Sequence, residues 1–173
     1  MPSAAVITVS DSRFQGSRTD LSGPAVADLL NSNGFRVEHQ TVVPDEQHLL
    51  EETLRDLATQ FPLIVTTGGT GIAPRDVTPE ATRAVCDRLL DGVAELMRAE
   101  GRQETLNSAL SRAVCGARGK SLILNLPGSP RGAATSLRAV LPLLSHALKL
   151  LEGGETHHHD DAIARSSSAP GGN

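Results

Sequence analysis

The stretch from residue 63 to residue 82, LIVTTGGTGIAPRDVTPEAT, decides the predicted fold of this chain. Its first residues, 63–67, are apolar or β-branched, which is typical of a short buried strand. Glycine follows at once, and this break predicts a loop. Thr78 then precedes Pro79, a pair typical of a helix N-cap and first helical position, so we expect a helix to begin near Pro79.

The loop between this strand and this helix is suited to an anionic oxygen. Gly68, Gly69 and Gly71 can take positive φ and present bare N–H groups, and Thr70 adds a hydroxyl. Asp76 lies in the same loop, at the carboxyl end of a strand, where open α/β sheets usually bind their ligands. The motif matches neither the G-x-G-x-x-G fingerprint nor a P-loop. An ordinary turn, with Asp76 as a loop or capping residue, is the alternative.

Strands and helices alternate along the rest of the chain. Short apolar runs predict buried strands, and apolar residues at helical spacing predict amphipathic helices. The predicted strands are 4–10, 35–43, 63–67 and 121–126, with 35–43 on the outside of the sheet. The predicted helices are 23–33, a segment that follows Asp45, 79–90, 92–100, 106–112 and 130–151. The segments 14–24 and 112–120 are predicted to be connections without regular structure.

Length and composition favour one domain and exclude several classes of partner. A chain of 173 residues is long enough for one sizeable core, and we expect this domain to occupy residues 1–154. A net charge of −4 and the absence of Trp and Tyr argue against nucleic acid as a partner. Cys86 and Cys115 lack C-x-x-C spacing, no leader peptide is evident, and the longest apolar region, 137–151, is too interrupted to span a membrane. We therefore expect a reduced cytoplasmic protein.

The last residues, 155–173, are predicted to be a disordered polar tail. They are poor in apolar side chains and cannot offset the entropy cost of becoming ordered. The run HHHDD at 157–161 contains metal-binding residue types, but consecutive residues on a flexible tail rarely form a specific site. We expect no more than adventitious metal binding there.

Three further segments carry side chains that suit a binding site. Ser10 is the last residue of the first predicted strand, and Asp11 follows it. In the connection after this strand, these two residues are the ones most suited to contact a ligand. Ser129 precedes Pro130 and Arg131 at the start of the last helix, where a hydroxyl, free N–H groups and a cation suit a phosphate. A plain capped helix explains Ser129 equally well. For Asp45 the spacing favours a helix cap over a functional carboxylate.

Three ordered motifs, TTGGTGIAPRDVTPEAT, VVPDEQ and LILNLPGSP, resemble the molybdopterin-binding family, whose MoaB/Mog domain also occurs in gephyrin and plant Cnx proteins. The resemblance extends from about residue 6 to about residue 153, and includes the shorter matches DLSGP at 20–24 and LSR at 110–112. It implies an α/β fold, a three-layer α/β/α sandwich with a mostly parallel, mixed sheet. The first strand is then flanked by the second and third, which places a ligand where the chain direction switches.

The resemblance also implies an activity. The adenylyltransferase branch of this family transfers AMP from ATP to the terminal phosphate of molybdopterin and releases pyrophosphate, and its motifs contain the aspartates that stand here as Asp45 and Asp76. The MoaB-type branch often departs at the first aspartate, so Asp45 favours the enzyme. Two carboxylates suit a magnesium-dependent transfer, because Mg²⁺ is usually held by one or two carboxylates together with substrate phosphates. Asp45 and Asp76 are therefore predicted to be catalytic and to position Mg²⁺ and ATP.

The remaining motif positions divide between the two substrates. The nucleotide is predicted to lie against Ser10, Asp11, Gly68, Gly69, Thr70 and Gly71. The molybdopterin is predicted to contact Ser111, Arg112, Pro127, Gly128, Ser129 and Arg131. The resemblance further implies a homotrimer and a partner protein that inserts molybdate. Two alternatives stay open: a binding or scaffold module without catalysis, and a nucleotide pyrophosphatase of the competence-damage type.

Overall fold

The structure, a computed structural model, describes residues 1–153, and the predicted tail with its histidines lies outside the described residues. One six-stranded sheet runs through this part of the chain in the order β2-β1-β3-β6-β5-β4. The strands are β1 Ser3–Val9, β2 Arg36–Val43, β3 Leu63–Thr67, β4 Arg88–Leu89, β5 Cys115–Arg118 and β6 Ser121–Leu126. β2, β1, β3 and β6 are mutually parallel, whereas β5 runs antiparallel to both of its neighbours, so the sheet is mixed as expected.

Helices cover both faces of the sheet and bury two separate apolar cores. The helices are α1 Asp11–Phe14, α2 Ser22–Asn31, α3 Gln47–Leu57, α4 Thr78–Val85, α5 Asp91–Glu104 and α6 Pro130–Leu151, with a 3₁₀ helix at Leu106–Leu110. Because side chains alternate along a strand, Ala4 and Val6 of β1 pack into the core formed with α2, α5 and α6, whereas Ala5 and Ile7 pack into the core formed with α3 and α4. This is the predicted three-layer sandwich.

The sheet order places three loops at one edge. β1 pairs with β2 on one side and β3 on the other, which is the expected switch in strand order. In the register of the sheet Thr8 lies beside Thr67, and Thr67 lies beside Leu126. The three strands therefore end together, and the loops that follow β1, β3 and β6 emerge side by side.

The second half of the sheet differs from the prediction. Residues 112–120 were expected to form a loop, but Cys115–Arg118 is a strand that pairs with β6 through a tight turn, in which Gly119 has a φ of +53°. α4 ends at Val85 instead of residue 90, because the chain leaves the helix to form β4 against β5. β4 depends on a partner distant in sequence, and β5 is a short strand of four residues that contains one glycine and is followed by another, so local pattern did not reveal either strand. The connection after β1 likewise contains the short helix α1.

Two predicted helix caps have different outcomes. Ser129 caps α6 as expected, since its hydroxyl accepts a hydrogen bond from the Gly132 N–H at 3.2 Å. Thr78 was predicted to cap α4, but the capping position is Val77 and Thr78 is already inside the helix. Its hydroxyl instead donates to the Gly68 carbonyl at 2.9 Å. Thr78 therefore ties the helix to the glycine loop. Within residues 1–153, no helix combines the length and the apolar character that crossing a bilayer requires.

We expect the buried amide of Asn125 to be a stability determinant of the sheet. Its Nδ2 donates to the hydroxyls of Thr66 at 3.0 Å and Thr82 at 2.9 Å, and its Oδ1 accepts from the Val114 N–H at 3.3 Å. Asn125→Leu keeps the approximate volume but leaves these groups without a partner, so the free energy of unfolding in urea should fall by about 2 kcal/mol. Asn33→Leu, which removes an exposed amide, should change it by less than about 0.5 kcal/mol. Equal losses in the two variants would contradict this role.

Candidate functional site

A cavity of about 400 Å³ lies at the edge where the strands end. The glycine loop after β3 contributes the segment Gly69 to Gly71 and Asp76, and the turn after β6 contributes Pro127 to Ser129. The remaining walls come from α5, α6 and the 3₁₀ helix. The sheet order brings the glycine loop and the turn after β6 together, although Asp76 and Pro127 are more than 50 residues apart along the chain. The switch in strand order, between β1 and β3, predicts a ligand between the loops that follow those two strands. The cavity lies beside that point and is lined by the loops that follow β3 and β6.

The backbone of the glycine loop requires glycine at two positions. Gly68 has a φ of +101° and Gly69 a φ of +64°, the region that side chains with a Cβ rarely adopt. A Cβ on Gly68 would also overlap the Val9 carbonyl oxygen, so the loop packs directly on the end of β1. No hydrogen bond within residues 1–153 uses the N–H groups of Gly69, Thr70 and Gly71. These three consecutive donors can serve an anion.

Arg112 fixes the shape of this loop from the side that faces away from the cavity. Its Nε donates to the Gly71 carbonyl at 2.6 Å and its Nη2 to the Asp76 carbonyl at 2.7 Å, while its own N–H donates to the Thr70 carbonyl at 2.8 Å. Its guanidinium also forms an ion pair with Glu80. Partial burial acts to raise the pKa of Glu80, but the hydrogen bond from Arg112, a backbone hydrogen bond and the positive charges of Arg112 and Arg83 together lower it. Arg112 lies outside the cavity and lines a neighbouring depression.

Asp76 faces the cavity with a carboxylate held by its own loop. Its Oδ2 accepts a hydrogen bond from the Ala73 N–H at 2.9 Å and lies 2.7 Å from where a Cβ on Gly71 would be. Among residues 1–153, no donor reaches Asp76 Oδ1. The hydrogen bond to Oδ2 thus orients the carboxylate, and Oδ1 is left to interact with a ligand in the cavity.

Asp45 does not cap α3, so that interpretation is wrong. The capping position is Glu46, which forms no side-chain cap, whereas Asp45 Oδ2 accepts from the Asp11 N–H at 2.8 Å. Asp45 Oδ1 lies close to Gly69, 3.3 Å from the position of a Cβ there. Burial, and then the charges of Asp11 and Asp76, raise the pKa of Asp45. Asp45 and Asp76 therefore lie at the same end of the sheet. Asp76 belongs to the glycine loop, and Asp45 lies against that loop at Gly69.

The predicted residues separate into those that line the cavity and those beside it. Gly69, Thr70, Gly71, Asp76, Ser111, Pro127, Gly128 and Ser129 line the cavity. Asp45, Ser10, Asp11, Gly68, Arg112 and Arg131 do not. Ser10 caps α1 by accepting from the Arg13 N–H at 3.4 Å. Arg131 is exposed and forms an ion pair with Glu104 at 2.9 Å, and Glu104 itself lines the cavity.

The sequence pattern did not identify the wall formed by α5. Met97, Arg98 and Gly101 line the cavity, together with Glu104 at the end of the helix. Arg98 Nη1 donates to the Ala113 carbonyl at 3.0 Å, which places a cation in the wall. Positions 94, 97, 98 and 101 lie on one helical face, so the helical spacing of these residues was the only signal in the sequence that could have pointed to this wall. It indicates burial but does not distinguish a core from a cavity.

Fold and site together define an α/β protein with a cavity suited to a small anionic molecule at the carboxyl ends of its parallel strands. A family model described as "Probable molybdopterin binding domain" matches residues 5–146. The chain belongs to this molybdopterin-binding family, the MoaB/Mog family.

Named relatives cover most of the chain. Molybdopterin adenylyltransferase from Helicobacter pylori strain J99 is 41% identical over 155 residues, 86% of each chain. The molybdopterin adenylyltransferase of Escherichia coli K12 is 40% identical over 140 residues, 78% of this chain and 71% of the relative. The crystal structure of the molybdopterin biosynthesis enzyme MoaB from Thermus thermophilus is 50% identical, with a TM-score of 0.84, and covers 88% of this chain and 98% of that one.

Proposed function

We propose that this protein transfers AMP from ATP to the terminal phosphate of molybdopterin, in a magnesium-dependent reaction that releases pyrophosphate during molybdenum cofactor biosynthesis. The cavity carries this proposal, because three free N–H groups, the Asp76 carboxylate and the capped start of α6 meet there. The adenylyltransferases among the relatives support it. Such a transfer demands positioning and charge stabilisation of two phosphate-bearing substrates more than covalent chemistry.

The glycine loop is the proposed nucleotide site. The N–H groups of Gly69, Thr70 and Gly71 would donate to the phosphate oxygens of ATP, as backbone amides do in other anion-binding loops. Gly68 shapes the loop through its positive φ. Ser10 and Asp11 end the neighbouring strand β1, and we propose that they border the same site from the β1 side.

Asp45 and Asp76 fit a magnesium ion that arrives with the nucleotide. Residues 1–153 contain no group of three or more His, Cys, Asp or Glu side chains that could hold a metal by themselves. Each of the two aspartates uses Oδ2 within the protein, and among these residues no donor reaches either Oδ1. Two hard oxygen ligands, completed by phosphates and water, are what Mg²⁺ usually takes. When bound, the ion would neutralise charge on the phosphates during transfer.

The walls around Ser129 are the proposed molybdopterin site. The start of the 22-residue helix α6 favours negative charge, and Ser129 and Gly128 lie at that end of the cavity. Pro127 and Met97 add apolar surface suited to a flat ring, and Ser111 adds a hydroxyl. Arg131, which is predicted to contact the molybdopterin, would do so by giving up its ion pair with Glu104 and pairing with a substrate phosphate instead.

A pyrophosphate assay with purified molybdopterin, ATP and MgCl₂, preceded by isothermal titration of each substrate, tests the proposed activity. Pyrophosphate release that requires both substrates and the metal is the expected result. Tight molybdopterin binding without pyrophosphate release would instead indicate a binding module. Hydrolysis of a dinucleotide in the absence of molybdopterin would indicate a pyrophosphatase.

Arg112→Lys should weaken the reaction without removing a substrate contact. Lysine keeps the charge but cannot donate simultaneously to the Gly71 and Asp76 carbonyls, so the loop loses its fixed shape. We expect kcat/KM to fall roughly tenfold to 100-fold, as is typical when a supporting hydrogen bond of a site is lost. Steady-state kinetics measures it. Arg118→Lys is the control, because within residues 1–153 the Arg118 side chain donates only to the Val85 carbonyl, and it does not line the cavity. An unchanged kcat/KM for the Arg112 variant would contradict the supporting role.

We further propose a cytoplasmic homotrimer that passes its adenylylated product to a partner protein inserting molybdate. The resemblance to the family motivates this assembly. Light scattering coupled to size-exclusion chromatography measures the mass of the assembly, and a monomeric mass would reject the trimer.

A further inference from the structure

Arg75 connects the glycine loop to two other turns. It lies next to Asp76 in sequence, yet its side chain points to the turns that follow β1 and β2. Its Nε donates to Asp11 Oδ2 at 2.6 Å, and its Nη2 donates to Asp11 Oδ1 at 3.1 Å and to Glu46 Oε1 at 3.0 Å. One guanidinium thus joins three segments, two of which carry the aspartates Asp45 and Asp76.

Asp11 and Asp45 hold each other through reciprocal hydrogen bonds. Asp45 donates its N–H to Asp11 Oδ1 at 3.0 Å, and Asp11 donates its N–H to Asp45 Oδ2 at 2.8 Å. The second bond leaves Asp45 Oδ1 facing Gly69. The orientation of the Asp45 carboxylate therefore depends on where Asp11 lies. Arg75 holds Asp11 in place by donating hydrogen bonds to both of its carboxylate oxygens.

Arg75 also supplies positive charge to an acidic group. It pairs directly with the carboxylates of Asp11 and Glu46, and Asp45 lies close enough for the charges of Asp11, Asp76 and Arg75 to act on it. Without Arg75, the Asp11 carboxylate would repel that of Asp45 and would lose its bidentate partner.

We propose that Arg75 is a positioning residue that holds the Asp45 carboxylate, through Asp11, in the orientation in which Asp45 would hold Mg²⁺. This inference rests on the adenylyl transfer proposed above. Arg75 itself does not line the cavity.

An ordinary surface ion pair would have different consequences. The side chains of Arg75, Asp11 and Glu46 are 59%, 31% and 55% exposed, and exposed pairs contribute little to folding stability. A purely structural role therefore predicts small changes in every measurement. A positioning role predicts an unchanged melting temperature together with a lower kcat.

The kinetic test compares Arg75→Gln, Arg75→Lys and the control Arg36→Gln. Arg36 is also exposed and paired, with Glu38, but lies at the start of β2, away from the site. For Arg75→Gln we expect kcat/KM to fall roughly tenfold to 100-fold, mainly through kcat. Arg75→Lys should recover part of this loss, because an ammonium restores the charge without the bidentate geometry. Arg36→Gln should match the wild type.

Hydrogen exchange provides a measurement that needs no activity. The Asp11 amide is protected by its hydrogen bond to Asp45, and the Ser10 amide by its bond to the Val43 carbonyl at 2.9 Å. In Arg75→Gln the Asp11 amide should exchange about tenfold faster, while the Ser10 amide keeps its rate, because only the turn opens locally. Arg36→Gln should leave both rates unchanged.

The two measurements separate this inference from the proposed function. If the wild type releases no pyrophosphate, the adenylyl transfer fails, and the exchange of the Asp11 amide alone decides whether Arg75 positions Asp11 and Asp45. An unchanged Asp11 exchange rate in Arg75→Gln would overturn the inference. A normal kcat in an active enzyme would also overturn it, as would a loss of activity that follows a loss of melting temperature.

Discussion

Asp76→Asn is expected to abolish most adenylyl transfer while leaving molybdopterin binding intact. Asparagine keeps the shape of the side chain and can still accept from the Ala73 N–H, so the loop should retain its structure. It lacks the negative charge that would hold Mg²⁺ against the phosphates of ATP. We expect kcat to fall roughly 100-fold to 1,000-fold, the range seen when one preorganised electrostatic group of a site is removed. Steady-state pyrophosphate release measures the loss, and isothermal titration measures molybdopterin affinity.

The control for this variant is Asp28→Asn. Asp28 is an exposed aspartate on α2, far in the fold from the glycine loop, so the same charge change should leave turnover normal. Turnover by Asp76→Asn within about twofold of the wild type would reject the metal-positioning role of Asp76. Equal losses of ATP turnover and molybdopterin affinity would show instead that the loop had collapsed.

Gly68→Ala is expected to be the most destabilising of the substitutions considered for this chain. A φ of +101° is unfavourable for alanine, at about 1–2 kcal/mol, and the new Cβ would overlap the Val9 carbonyl oxygen. Because the overlapping atom belongs to the backbone of β1, it cannot move aside as a flexible side chain would. Displacing a packed element typically costs a further 1–3 kcal/mol or so. We therefore expect the free energy of unfolding in urea to fall by about 2–5 kcal/mol.

Gly34→Ala isolates the conformational part of this cost. Gly34 has a φ of +87°, close to that of Gly68, but a Cβ there meets nothing within 4 Å. It should lose only about 1–2 kcal/mol. If both variants unfold at the same urea concentration, the close packing of the glycine loop on β1 does not contribute as described.

The candidate site was predictable where its residues carry a local signal. Gly68 and Gly69 follow a buried strand, which indicates a loop with positive φ, and both have it. Ser129 precedes proline, which indicates a helix cap, and it is one. The strand order β2-β1-β3 came from the resemblance to the family and is confirmed. For Asp45 the local pattern favoured the wrong role, since a carboxylate before a helix predicts a cap, and only the bond from Asp11 shows otherwise.

Within residues 1–153, the apolar period and the positions of glycine in the sequence determined by themselves four of the six strands, five of the six α-helices and the glycine loop. The tertiary structure alone decided the rest. β5 forms because β6 supplies its hydrogen-bonding partner, and β4 forms because β5 supplies one in turn. Arg112 supports the glycine loop although it lies 36 residues beyond Asp76 in the sequence. Arg75 likewise reaches Asp11 across 64 residues. Local sequence encodes the conformation of a short segment, whereas a hydrogen bond between distant segments depends on the sheet order that brings them together.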